Sequence, residues 1–123
     1  MVKEERRLHS RAAIKWPVTM LNAQTKLKGE IENVSPYGAF VCCKEVPPLD
    51  GNFFMVIEAP DQKTMSIAAR VTWSTVLETD AGDSCFGVGV RFTNVSATDR
   101  QYLYSVIAKH YRLKNNQRAG KKP

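Results

Sequence analysis

The side chains in this sequence best suited to recognition chemistry sit in two short stretches. The first is Arg6-Arg7-Leu8-His9-Ser10-Arg11, in which three residues separate Arg7 from Arg11. An arginine fork can grip phosphate oxygens, lie along the O6 and N7 edge of a guanine, or stack on a base as a cation over a π face; lysine would supply only the charge. The second is Asn33-Val34-Ser35-Pro36-Tyr37-Gly38. Asn33 and Ser35 are short side chains that hydrogen-bond nearby backbone, Pro36 fixes a turn, and Gly38 permits a backbone angle that other residues resist. The segment therefore presents donors and acceptors at a strand end. Taken singly, the first stretch reads as a solvated basic terminus and the second as an ordinary hairpin connection. Their occurrence together, arm first and corner second, favours a binding site.

The rest of the chain offers little chemistry of its own. His9 falls in the arm, where it reads as a spacer, and His110 in a helical stretch, where it reads as a face residue. Ser35 has no base beside it in sequence, and the acids fall on alternating exposed positions or in loops. Metal-assisted phosphodiester chemistry needs a cluster of carboxylates or histidines, and none is visible. The expectation is a binding protein, not an enzyme, with no cofactor and no metal. Cys42, Cys43 and Cys85 are odd in number, and the adjacent pair would point to opposite faces of a strand. They show neither a disulfide framework nor a metal-binding spacing and are expected as reduced, partly buried thiols.

What must position the two stretches is a single domain, since 123 residues suffice for one hydrophobic core. Alternation of apolar and polar residues predicts six strands. The first holds Ile14, Trp16, Val18 and Met20, with Pro17 best tolerated on an edge; the second runs from about Thr25 to Glu32 into the Asn33 corner. Strand three follows as Gly38 to Cys43, and Pro47-Pro48-Leu49-Asp50-Gly51 breaks the chain. Strand four is Phe53 to Ala59, and strand five is Met65 to Val76 with Ile67, Ala69, Val71 and Trp73 on its apolar face. After an acidic loop from Glu78 to Asp83, strand six puts Phe86, Val88, Val90 and Phe92 on one side and Gly87 and Gly89 on the other. The period then changes: Ser96-x-x-Asp99 offers a cap, and Tyr102, Leu103, Val106, Ile107 and Tyr111 recur at helical spacing, with an end near Leu113. The fold class expected is all-β with one terminal helix, a small six-stranded antiparallel barrel with the helix packed on one opening.

The expected organisation is a flexible basic arm over 1–12, the barrel and helix over 13–113, and a disordered basic tail over 114–123. Of the net charge of +6, the arm carries four basic and two acidic groups and residues 109–123 carry six basic and no acidic ones, so the middle is slightly acidic. That distribution disfavours an oligonucleotide track along the barrel, which needs charge along its length. No run of some 18 apolar residues and no charged-then-apolar leader is present, so a cytoplasmic protein without membrane insertion is expected.

The pattern Arg7-x-x-x-Arg11 followed by Asn33-x-Ser35-x-x-Gly38 resembles the two-part signature of the PilZ domain, a bacterial receptor for the second messenger cyclic di-GMP. Val71-Thr72-Trp73, Gly87-Val88-Gly89-Val90-Arg91-Phe92 and the terminal helix also resemble the later part of that family, so the likeness runs from about Arg6 to about Leu113. It implies a β-barrel with a helix, and a cyclic di-GMP ligand held by Arg7 and Arg11 with Asn33, Ser35 and Gly38. By the same resemblance Arg6 is a further candidate for a second stacked nucleotide, and Trp73 for a stacking contact, although core packing suits a tryptophan sharing a face with Val71. Asn33 stands where the family has Asp or Asn. An ionised Asp could accept from both N1–H and N2–H of guanine, whereas the Asn amide accepts only through its oxygen, so weaker pairing is expected. The implied role is a receptor or adaptor whose arm changes conformation on binding and signals to an unidentified partner protein. The competing expectations are a small barrel that binds single-stranded nucleic acid and a degenerate interaction module without nucleotide.

Overall fold

The computed structural model describes residues 12–45, 51–78 and 84–120, with side chains as far as residue 113. The expected arm with Arg6, Arg7, His9 and Arg11, the Pro47-Pro48 breaker, the acidic loop over 79–83 and residues 121–123 lie outside the described residues.

Six strands close into an antiparallel barrel: β1 (Trp16–Leu21), β2 (Lys26–Ser35), β3 (Gly38–Cys43), β4 (Asn52–Ala59), β5 (Lys63–Glu78) and β6 (Ser84–Asn94), followed by α1 (Ala97–Gly120). The order around the barrel is β1-β2-β3-β6-β5-β4. Alternation along β1, β4 and the first half of β5 turns one face of each inward, so Val18 and Met20, Met55 and Ile57, and Met65 and Ile67 meet inside with Val88 and Val90 of β6. Asp61 and Gln62 both adopt positive φ, 63° and 61°, giving the primed turn that a tight β4–β5 hairpin requires. The helix covers one opening: Leu103 is fully buried, Ile107 nearly so, and Tyr102 and Val106 pack beside them at helical spacing. Its first turn is capped by Ser96, whose Oγ accepts from Asp99 N–H at 3.0 Å, and pinned by the Lys63–Asp99 ion pair at 3.1 Å.

Several boundaries differ from the sequence expectation. Pro17 is not on an edge strand, because a closed barrel has none; β1 pairs with β2 from Trp16 onward but with β4 only from Val18, so Pro17 sits where its missing N–H removes nothing from the β4 ladder. Asn33 is not in a corner but within β2, whose pairing with β3 continues to Ser35↔Gly38; a bulge between Ile31 and Asn33 interrupts the alternation there. The helix runs to Gly120 rather than ending near Leu113, since Lys114, Gln117, Arg118 and Ala119 are good helix formers and no proline intervenes.

Candidate ligand-binding face

The turn after β2 is built by one hydroxyl. Ser35 Oγ accepts from Tyr37 N–H at 3.1 Å and Gly38 N–H at 3.2 Å and donates toward the Gly38 carbonyl at 3.4 Å. It is only 4% exposed, so its hydrogen-bonding capacity is spent on shaping Pro36-Tyr37. Gly38 does not serve through a special backbone angle: Gly51 alone among the described glycines has positive φ. A Cβ at Gly38 would come within 2.5 Å of the Val90 carbonyl oxygen, so its glycine lets β3 and β6 approach.

Tyr37, at the tip, is held by β6 and by the helix. Its carbonyl accepts from Phe92 N–H at 2.8 Å, the Arg100 guanidinium lies 4.3 Å from its ring centroid, and its hydroxyl hydrogen-bonds to that of Tyr104 at 2.8 Å. The Tyr104 hydrogen bond, then Arg100, lower the Tyr37 hydroxyl below the usual tyrosine value, while the same bond raises Tyr104.

Residues directly opposite each other on paired strands put their side chains on the same face. The register aligns Asn33 with Phe40, Phe40 with Gly89 and Gly89 with Trp73, so these four form one row across the outside of β2, β3, β6 and β5. Trp73 is 48% exposed, which corrects the expectation that it packs in the core with Val71. The cause is a bulge between Val71 and Trp73: Thr72 is taken up there, its Oγ1 donating to the Gly89 carbonyl at 3.1 Å, and the next side chain turns outward. Phe40 and Trp73 stack with ring centroids 5.2 Å apart and planes 15° from parallel. They lie on the glycines of β6: a Cβ at Gly89 would collide with the Trp73 indole, and one at Gly87 with the Phe40 ring. The result is an aromatic platform with the Asn33 amide at one end.

One step along the strands, Ser35 pairs with Gly38, Gly38 with Arg91, and Arg91 with Arg70. Arg70 and Arg91 are exposed and directly opposed, and neither belongs to an ion pair among the described residues. Opposed like charges destabilise a sheet. They leave two forks beside the platform that suit an anion.

The chain reaches this face through Ala12. Its N–H donates to the Val34 carbonyl at 2.9 Å and its carbonyl accepts from Val34 N–H at 3.0 Å, an isolated antiparallel bridge between Asn33 and Ser35. Lys15 and Glu32 form an ion pair at 3.1 Å just before it, too exposed to add much stability.

Of the expected site residues, then, Asn33, Ser35, Gly38 and Trp73 share one region, while Arg6, Arg7 and Arg11 lie outside the described residues. Sequence reasoning missed Phe40, Arg70 and Arg91. The alternation of Gly87 and Gly89 on the solvent side of β6 was the available signal, since a strand gives up two side chains on its outer face only where something else covers it. No group of three metal-ligating side chains, and no helix long and apolar enough to cross a membrane, occurs among the described residues.

The family model described as PilZ domain matches residues 5–109 of the chain. Among solved structures, the chain is similar to the PilZ domain of YcgR from Escherichia coli with c-di-GMP, at 17% identity and a TM-score of 0.71, covering 95% of this chain and 99% of that one. It is also similar to the inhibitor of motility MotI/DgrA from Bacillus subtilis, at 14% identity and a TM-score of 0.70, covering 99% of this chain and 57% of that one. MrkH of K. pneumonia gives 14% identity and a TM-score of 0.75, covering 90% of this chain and 51% of that one. The chain thus spans about half the length of the latter two, and at these identities the likeness is one of fold. A comparison with curated proteins finds no match.

Proposed function

The chain belongs to the PilZ domain family, and from that premise we propose that it is a receptor for cyclic di-GMP, bound on the face of Asn33, Phe40 and Trp73 beneath the arm that carries Arg7 and Arg11. The observation that carries the reading is the Ala12–Val34 bridge, which delivers the arm to β2 between Asn33 and Ser35. Arg11 is bonded to Ala12, and Arg7 precedes Ala12 by five residues, a reach of up to about 18 Å at ~3.6 Å per residue. The row from Asn33 to Trp73 crosses three strand spacings, about 14 Å at ~4.8 Å each. The arm is long enough to clamp anything lying on that row.

The chemistry of the face fits the messenger. Phosphates take the arginine forks, guanines take the Asn33 amide and the exposed indole of Trp73, and an anionic ligand relieves the opposed charges of Arg70 and Arg91. Ser35 and Gly38 contribute through the turn they shape. Arg6 would serve a second stacked nucleotide. No reacting group is required of the protein, so the role is that of a receptor, not an enzyme.

Ordering ten arm residues costs on the order of 10 kcal/mol or more at ~1–2 kcal/mol each. Charge-assisted hydrogen bonds at roughly 1.5–3 kcal/mol apiece, with stacking, offset a cost of that size. Order in the arm then follows ligand, and a downstream partner protein reads the clamped state.

One titration tests this: cyclic di-GMP, the linear GMP dinucleotide and a random oligonucleotide, each against wild type and Arg11→Ala. Preference for the cyclic form that falls roughly ten- to a hundredfold in Arg11→Ala is the expected outcome, the range following from one lost charge-assisted contact. Binding of the oligonucleotide alone, fading steeply with salt, would instead select a nucleic-acid barrel.

A further inference from the structure

All three cysteines of the chain gather at one place that the proposed ligand face does not use. They line a cavity of about 360 Å³ between β2, β3 and the start of β6, together with Lys28, Glu30 and Lys44. Their faces differ. Cys42 alternates with Phe40 on the outside of β3 and pairs with Gly87, while Cys43 points inward and is 2% exposed. Cys85 lies two residues before Gly87 on β6, on the same outer face as Cys42 and diagonal to it. Both outer thiols are partly exposed, and they interact side chain to side chain.

We propose that Cys42 and Cys85 are an oxidisable pair that a hydroperoxide converts to a reversible disulfide across β3 and β6, with Cys43 left as a structural thiol. A bond between Cys42 and Cys43 is disfavoured, because neighbours in an extended strand diverge to opposite faces. A diagonal pair starts slightly beyond the Cα separation that a disulfide tolerates, so the strands must draw together. The β3–β6 ladder permits it: its last pair is Cys43↔Phe86, and Cys85, still paired with Leu77 of β5, lies one residue beyond it.

The chemistry closes on two thiols and one peroxide. The Cys85 thiolate attacks a peroxide oxygen, giving a sulfenic acid and releasing hydroxide, which takes up a proton as water. Cys42 sulfur then attacks the Cys85 sulfur and expels hydroxide, which leaves as a second water with the Cys42 proton. The sulfurs lose two electrons and the peroxide gains them. Burial and the Cys85 thiol push Cys42 up to about 12, so it is not the thiol that opens the reaction; in the second step its proton passes to the departing hydroxide. The inner Cys43, pushed up by burial to about 11, stays protonated.

The cross-link would form beside the platform, on the same outer face. Gly87, opposite Cys42, is the residue on which the Phe40 ring rests, so drawing the end of β6 onto β3 changes the Phe40–Trp73 stack. The test treats the full chain with hydrogen peroxide, counts free thiols and maps linked peptides. Free thiols are expected to fall from three to one, the intact mass by two hydrogens, and the linked peptides to join Cys42 with Cys85; dithiothreitol should restore all three thiols and the original tryptophan emission. Cys42→Ser and Cys85→Ser should each lose the cross-link, while Cys43→Ala keeps it. Oxygen addition to separate thiols, links that include Cys43, or links only between molecules in the unmutated chain would overturn the proposal. The outcome is independent of nucleotide binding.

Discussion

Replacing Ser35 with alanine separates a residue that touches ligand from one that builds the place where ligand sits. The hydroxyl accepts from Tyr37 N–H and Gly38 N–H, at 3.1 and 3.2 Å, in a position 4% exposed. Alanine leaves both donors without that acceptor. The Gly38 amide is buried and cannot turn to water, so it bears the desolvation cost of an unmade bond, about 1–3 kcal/mol. The Tyr37 amide is partly buried and recovers some of its loss from solvent. A net destabilisation of about 1.5–3 kcal/mol follows, measurable as a lower urea midpoint with the slope unchanged. Tyr37 should also loosen from Arg100 and Tyr104, so cyclic di-GMP affinity should fall in the folded variant without loss of any direct contact. The paired control is Arg11→Ala, expected to lose affinity at unchanged midpoint. Were Ser35→Ala to weaken binding while unfolding at the wild-type urea concentration, the hydroxyl would be serving the ligand rather than the turn, and the reasoning would be refuted.

Asn33→Asp supplies a second acceptor for the guanine edge, and calorimetry should show tighter cyclic di-GMP binding, up to about tenfold for one added charge-assisted bond. Gly89→Ala places a methyl where the Trp73 indole lies; the ring must lift off Phe40, so tryptophan emission should shift and cyclic di-GMP affinity drop while far-UV circular dichroism stays that of the barrel. Leu103→Ala empties the helix contact with the barrel opening and should destabilise by about 2–5 kcal/mol in urea. The fold raises Cys42 from 9.0 to about 12, so below pH 9 its thiol is protonated in both states, and between pH 9 and 12 only the unfolded chain releases the proton; the urea midpoint of the wild type should therefore fall more steeply over that window than that of Cys42→Ala. Amide exchange over residues 3–11 should slow with saturating cyclic di-GMP, and equal exchange with and without ligand would sink the arm as a switch.

Much of the barrel was legible because a strand with one buried face has to alternate. Val18 and Met20, Ile67 and Ala69, and Val88 and Val90 were placed by period alone, and Leu103, Val106 and Ile107 by the change of period after Asn94. The bulges at Ile31–Asn33 and Val71–Trp73 were not legible, nor was the register shift at Ala68–Ala69. A bulge adds one residue to one strand and inverts the face of everything beyond it, without any composition that marks it. That is why Trp73 followed Val71 into the expected core and stands instead on the outer face, and why Asn33 lies within β2. The thiol cluster was hidden for a related reason: Cys42 and Cys85 meet only through the β3–β6 register, which no local pattern encodes.

The amino-acid order by itself determined the elements, the polar turn and the residue types able to grip phosphate and guanine, because hydrophobic period, turn chemistry and side-chain donors are local properties. Only the tertiary structure decided which of them are neighbours. Closing six strands into a barrel sets Asn33, Phe40, Gly89 and Trp73 side by side from four different strands, and bridges Ala12 to Val34 so that the arm begins at that row. The physical reason is that strand pairing over long sequence separations is selected by the burial of the whole inner face together, and the outer face inherits whatever register that burial imposes.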